Sequence, residues 1–154
     1  MNYSYDGFLV KQRKESDIEF VSFIANAKEV YEWSHADKIT IDKGGIQRDL
    51  VDTRWKKITK FFESNPNNII PNSVIIACDE EIKHKFTLDD ISSTNLTLKK
   101  ISFNKDVREN TFIIDGQHRL KGISEVEENI QIVVTLFLGL SKLERAFQFI
   151  TINN

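Results

Sequence analysis

Thr111-Phe112-Ile113-Ile114-Asp115-Gly116-Gln117-His118-Arg119-Leu120-Lys121-Gly122-Ile123 is the stretch on which the reading of this chain turns. Four residues of strand character run straight into Asp115-Gly116. Behind the glycine, residues 117–126 read as a helix with Leu120 and Ile123 on its inner side. A strand that passes into a helix across one Asp-Gly step exposes the first helical turn, whose backbone N–H groups lack intrahelical partners. Those groups and the helix dipole attract anions. Gly116 removes the side chain that would keep a ligand from the backbone. Asp115 can cap the helix, order the loop, or accept bonds from a ribose or a metal-bound water. Arg119 lies three residues beyond Gly116, so it can reach over the same helix end and form a forked pair with phosphate oxygens. Gln117 and His118 add two groups that donate or accept. The same residues allow a plainer reading: Asp-Gly is a common turn, Asp is a good cap, and polar side chains on a first turn can simply be solvated. His118 reads more as a hydrogen-bonding partner than as a general base or ligand, because no second His lies close in sequence.

Outward from this stretch, residues 130–138 form a strongly apolar strand, with a break at Gly139-Leu140-Ser141. Ser141 and Glu144 have the spacing of a capping box, so a helix follows through Phe149 or Ile150. Upstream, residues 73–78 form an apolar run of strand length, buried on both faces. Residues 79–110 read as an excursion between two core strands, hairpin-like, with a more exposed strand near 95–103. Residues 52–64 are a clear helix, because Val51, Trp55, Ile58, Phe61 and Phe62 share one face. Asn65-Pro66 ends it. Residues 42–49 are turn-rich, with Gly44-Gly45 just ahead of Gln47 and Arg48. Residues 16–27 read as a helix from partly helical spacing of Ile18, Val21, Phe23, Ile24 and Ala25, and residues 7–10 as a strand; 30–33 fit either. The order gives one α+β domain over residues 1–154, a small mixed sheet flanked by helices.

Bulk properties narrow the function. A length of 154 residues fits one domain, and 40% hydrophobic with 29% charged residues is an ordinary globular balance. A net charge of -2 argues against coating nucleic acid by bulk charge, but phosphate contacts depend on where Lys and Arg sit. Arg54, Lys56, Lys57 and Lys60 fill much of the 52–64 helix; they are either a solvated face around Trp55 or a DNA backbone track. Lys99, Lys100, Lys105 and Arg108 make a second, looser basic stretch. The single Cys78 excludes an intrachain disulfide and reads as a buried, inert thiol in a reducing cytoplasm. No basic segment precedes an apolar core at the N-terminus, and no run is long enough to span a bilayer, so the expected setting is cytoplasmic, away from a membrane. There is no His-x-x-x-His or Cys-x-x-Cys pair and no Walker loop. Ser73 and Ser141 lack a base at motif spacing, and His35 and His84 receive no role.

Residues 112–123, with Asp115-Gly116-Gln117-His118-Arg119 complete, resemble the signature of the DGQHR-domain family, whose best-known members are the DndB-like proteins of DNA phosphorothioate modification systems. Three other stretches agree with it: Ile46-Gln47-Arg48 before a helix, Asn68-Ile69-Ile70-Pro71-Asn72-Ser73-Val74-Ile75, and the apolar strand with Gly139-Leu140-Ser141 and Phe149-Ile150-Thr151-Ile152-Asn153. The resemblance spans about residues 44–154 and leaves 1–43 as an extension or a first strand and helix. It implies a ParB/sulfiredoxin-like fold in which Gly116 and Arg119 cradle nucleotide phosphates. Gln117 and His118 would contact phosphate or an attacking water, making Gln117, His118 and Arg119 the catalytic candidates. Gln47 and Arg48 would close the pocket, and Asn153 or Asn154 would contact the ligand or Mg²⁺. Family members usually continue into further helices, so the chain reads as a fragment or a minimal version.

Two functions follow. The first is a nucleotide-binding domain of a bacterial DNA modification or defence system, taking a nucleoside triphosphate with Mg²⁺, with hydrolysis as an open step, and working beside other proteins of that system. The alternative is a DNA-binding regulator of a modification gene cluster that hydrolyses nothing. An interaction module that has lost its ligand is the third reading.

Overall fold

Alternation with a period of two governs the centre of this molecule. In residues 131–140, Ile132, Val134, Leu136, Leu138 and Leu140 are buried while Gln131 and Val133 are exposed. In residues 20–26, Val21, Phe23 and Ala25 are buried in the same rhythm.

A computed structural model describes residues 2–36 and 51–153. Along them run β1 (Asn2–Val10), β2 (Phe20–Asn26), α1 (Ala27–Trp33), β3 (His35–Ala36), α2 (Asp52–Ser64), β4 (Val74–Asp79), β5 (Thr87–Asp90), β6 (Leu98–Asn104), β7 (Thr111–Asp115), α3 (Gln117–Ser124), β8 (Gln131–Leu140) and α4 (Lys142–Ile152). Short 3-10 turns precede β5 and β7. Among the described residues the strands form one sheet in the order β3-β7-β4-β8-β2-β1-β6-β5. β3 with β7 and β4 with β8 are parallel and the other pairs antiparallel. The expected mixed sheet flanked by helices is present, with more strands than a small sheet implies.

One expectation is corrected. Residues 16–27 do not form a helix: residues 20–26 are β2, pairing with β1 on one side and β8 on the other. The partial helical spacing of Ile18, Val21, Ile24 and Ala25 was outweighed by the strict alternation of Val21, Phe23 and Ala25, which lets a strand bury one face in the core. The helix starts later, at Ala27, where the Asn26 side chain caps it by accepting from the Lys28 N–H. A second difference lies at Gly139, read as a break. It sits inside β8 at φ +83°, next to a register shift against β4, so it is a bulge that the strand passes through.

The sheet has one thick and one thin cover. On one face Val30 and Trp33 of α1, Ile58 and Phe62 of α2, and Leu120 and Ile123 of α3 pack on the alternate residues of the strands. Trp33 is fully buried; its Nε1 donates to the Tyr5 hydroxyl (3.1 Å), which donates to Glu29 Oε1 (2.8 Å). Burial, then the bond to Glu29, pushes the Tyr5 phenol well above its usual range. Cys78 is buried in this layer and burial pushes its thiol up to about 11, in keeping with an inert thiol. On the other face, Ala146, Phe149 and Ile152 of α4 cover Ala77, Ile114 and Leu140. The outer side of α4 carries Leu143, Phe147 and Ile150, all exposed, at steps of four and three.

The α2–α3 crossing is set by Gly122. A Cβ there would lie 2.6 Å from the Trp55 carbonyl oxygen and 2.7 Å from Ile58 Cβ, and Thr59 Oγ1 donates to the Gly122 carbonyl at 2.6 Å. Both obstacles belong to the body of α2, so neither can swing aside. Gly122→Ala should lower stability by about 1–3 kcal/mol, the usual cost of overpacking, despite the better helix propensity of alanine. Urea unfolding checks this; an unchanged midpoint would mean that α2 does not seat on α3 this closely.

Candidate functional site: the β7–α3 junction

Both faces of β7 are spoken for. Ile113 packs into the thick layer and Ile114 into the thin one; β3 pairs with the strand at Phe112 and Ile113, and β4 follows it to Asp115. At that end the chain must turn at once into α3. Gly116 makes the turn at φ +98°, ψ 23°, a left-handed conformation that side chains resist, and its carbonyl accepts the Leu120 N–H at 2.8 Å to start the helix.

Arg119 folds back over this corner. Its Nη2 donates to the Ser73 carbonyl at 2.9 Å and to Asp115 Oδ2 at 3.2 Å. A Cβ on Gly116 would lie 2.9 Å from the same Nη2. The glycine is therefore required twice, for its φ and for the space that the guanidinium fills. Arg119 Nε is buried without a hydrogen-bond acceptor among the described residues. Asp115 is engaged with Arg119, and Gly116, at the cap position, has no side chain to accept from the first turn of α3. The helix start thus keeps a positive end with a guanidinium beside it.

The other two motif residues face inward and toward α2. Gln117 is 7% exposed. His118 Nε2 accepts the Val51 N–H at 2.9 Å. In a neutral imidazole this places the proton on Nδ1. Val51 is the residue from which α2 springs, so His118 anchors the start of that helix to α3. Two residues of α3 past Arg119, Lys121 pairs with Glu125 and lies 5.0 Å from the ring centroids of both Tyr31 and Trp55.

The structure thus brings Asp115, Gly116, Gln117, His118 and Arg119 into one corner, with Ser73 and Val51 as backbone partners. Gln47 and Arg48 lie outside the described residues, as does Asn154. Asn153 ends α4, which covers the opposite face of the sheet from α3; among the described residues its side chain bonds only the Phe149 carbonyl, at 2.9 Å. Among the described residues no three His, Cys, Asp or Glu side chains converge as a metal-ligand set.

Arg54, Lys56, Lys57 and Lys60 are all exposed, while Trp55, Ile58, Thr59 and Phe62 on the other side of α2 are half-buried. Among the described residues none of the four is in an ion pair. The second basic stretch differs. Lys99 pairs with Asp90, Lys100 with Asp6 and Arg108 with Glu109. β6, which carries Lys99 and Lys100, stands five places from β7 in the sheet, roughly 24 Å away at the usual strand spacing. Lys99 and Lys100 therefore stand well apart from the β7–α3 corner, whereas Lys105 and Arg108 lie on the turn just before β7.

Sequence reading passed over Arg145. It is 4% exposed; Nη1 donates to Asp79 Oδ2 (2.7 Å) and the Leu140 carbonyl (3.1 Å), and the guanidinium lies 4.2 Å from the Phe112 ring centroid. The signal was its spacing: 145, 149 and 152 share the inward face of α4, so an arginine stands where an apolar residue was due.

The class this defines is a mixed α+β domain in which the strand next to the sheet edge passes through a glycine into a helix, with a basic helix pinned against it. The model of the DndB family, described as DNA-sulfur modification-associated, matches residues 8–153, and the chain belongs to that family. No curated protein and no solved structure matches the chain. Membership makes this a protein of a DNA sulfur modification system. Among the described residues no helix is long and apolar enough to cross a membrane.

The His118 bond gives a direct test of how the corner holds α2. His118→Ala should speed hydrogen exchange at the Val51 amide and cost about 0.5–1 kcal/mol, the lower end for a hydrogen bond whose donor can turn to water. Unchanged Val51 exchange would show that another group holds the start of α2.

Proposed function

We propose that the β7–α3 corner binds the phosphates of a nucleotide, and that this binding serves the DNA sulfur modification system to which the family belongs. The observation that supports the reading is the Arg119 guanidinium, held beside a helix start whose cap residue is a glycine, with a buried Nε that has no acceptor among the described residues. Once the guanidinium turns outward, a phosphate oxygen supplies that acceptor, and the α3 dipole adds attraction. The Asp115 carboxylate competes for the same guanidinium, so it sets how readily Arg119 turns outward. The ParB/sulfiredoxin-like phosphate cradle implied by resemblance agrees with this role for Gly116 and Arg119. Mg²⁺ enters in this reading as the nucleotide's own counterion. Arg119 would stabilise charge on the phosphoryl oxygens. Gln117 or His118 would orient water if hydrolysis occurs, and His118 Nε2 would first have to release the Val51 N–H.

Isothermal titration of the chain with ATP, CTP and GTP plus Mg²⁺ tests the proposal. At least one nucleotide should bind, and Arg119→Ala should weaken it by about tenfold or more, the worth of one charge-assisted hydrogen bond. No heat with any of the three would overturn it.

A second reading has its own observation in Arg54, Lys56, Lys57 and Lys60 on the outer side of α2, none of them in an ion pair among the described residues. There the helix lies along a DNA backbone, as a regulator of a modification gene cluster would. Binding to duplex DNA should then fall steeply with salt, and Lys56→Gln with Lys57→Gln should flatten the log–log salt slope by about 2. An electrophoretic shift with the same slope in wild type and variant would sink this reading.

A further inference from the structure

The far end of α2 carries a feature that neither phosphate reading uses. Between the last turn of α2 with residues 66–69 and the loop from α3 into β8, the surface folds into an open groove of about 970 Å³. Phe62, Val126 and Ile130 form an apolar floor, and Ile69, 72% exposed, stands at the lip. The rim is acidic, with Glu63, Glu127 and Glu128, and among the described residues no Lys, Arg or His lines the groove. Among the described residues none of these three glutamates is in an ion pair, whereas nearby Glu125 is paired with Lys121.

Both walls are ordered in advance. On one side Lys28 Nζ donates to the Glu127 carbonyl at 2.8 Å, and the Ala27 N–H donates to the Ile130 carbonyl at 2.9 Å. On the other, Asn68 Nδ2 donates to the Phe61 carbonyl at 2.9 Å and to Ser64 Oγ at 3.1 Å. Walls already fixed lose little freedom when the groove is filled. Three unpaired carboxylates repel the phosphates of DNA or a nucleotide. They attract cations, and the apolar floor selects for cations carried beside apolar side chains.

We propose that this groove docks a short segment of another protein in which Lys or Arg alternates with apolar residues. The apolar side chains lie on Phe62, Val126 and Ile130, with Ile69 closing over them, and the cations pair with Glu63, Glu127 and Glu128.

A labelled peptide of alternating Leu and Lys, titrated into the full chain by fluorescence anisotropy, tests this. It should bind, and a peptide with Glu in place of Lys should not. Glu127→Gln with Glu128→Gln should weaken binding roughly fivefold at low salt, two exposed ion pairs' worth. Ile69→Ser should also weaken it, with thermal unfolding unchanged in each variant. Amide shifts should centre on Val126, Asn129 and Ile130. The proposal is overturned by no binding, by equal binding of the Glu peptide, or by affinity that ignores these substitutions. It is equally overturned if the peptide shifts move to Leu143, Phe147 and Ile150 of α4, or if duplex DNA shifts the groove amides.

Discussion

The left-handed turn at Gly116 is the constraint on which the rest of the corner depends. β7 is buried on both faces and has no freedom to drift into a loop, so the reversal must be completed in one residue. Only a glycine holds φ +98° without strain, and only a residue with no Cβ leaves room for the Arg119 guanidinium. Everything downstream inherits its direction from that residue. His118 points at Val51, Gly122 meets Trp55 and Ile58, and Lys121 lies between Tyr31 and Trp55. A different turn would rotate α3, and α2 would lose its seat.

Two arginines bracket the β4–β7 pair from opposite faces, with different consequences. Arg145 is closed in: Asp79, a carbonyl and an aromatic face surround it, and truncating it would leave Asp79 facing the core without its partner. Arg119 is a quarter exposed and shares its charge with a carboxylate that is equally open to water. Water screens the Arg119 pair more than the Arg145 pair. The difference in burial assigns Arg145 to holding α4 on the sheet, while Arg119, which would give up the Ser73 carbonyl and Asp115 on turning outward, is the more accessible of the two.

Elements with an uninterrupted pattern were legible in the residues alone. The β7–α3 step, α2, β4 and the capping box at Ser141 all stand where spacing and capping chemistry put them. β2 was missed because Val21, Ile24 and Ala25 satisfy a helical step as well as a strand's alternation, and the sheet decides between them. Both its edges are paired, to β1 and β8, which no local pattern reveals. At the site, the concentration of polar groups was legible but their partners were not. Arg119 was expected to reach over the helix end toward phosphate oxygens; it lies over that corner, but the carbonyl it holds belongs to Ser73, 46 residues upstream. The His118–Val51 bond spans 67 residues. Contacts of that range come from the packing of α2 and β4 around α3, and sequence spacing carries no trace of them.

α2 is where the separate features meet. Its cap residue, Val51, is held by His118 of the junction motif, its middle rests on Gly122, its outer side carries cations in no ion pair among the described residues, and its last turn forms one wall of the acidic groove. Its inner side is only half-buried and none of its residues is fully enclosed, so tertiary contacts to α3 carry most of its stability. A substitution that frees Val51 from His118 therefore loosens the start of the helix first, while Gly122 still seats its middle on α3.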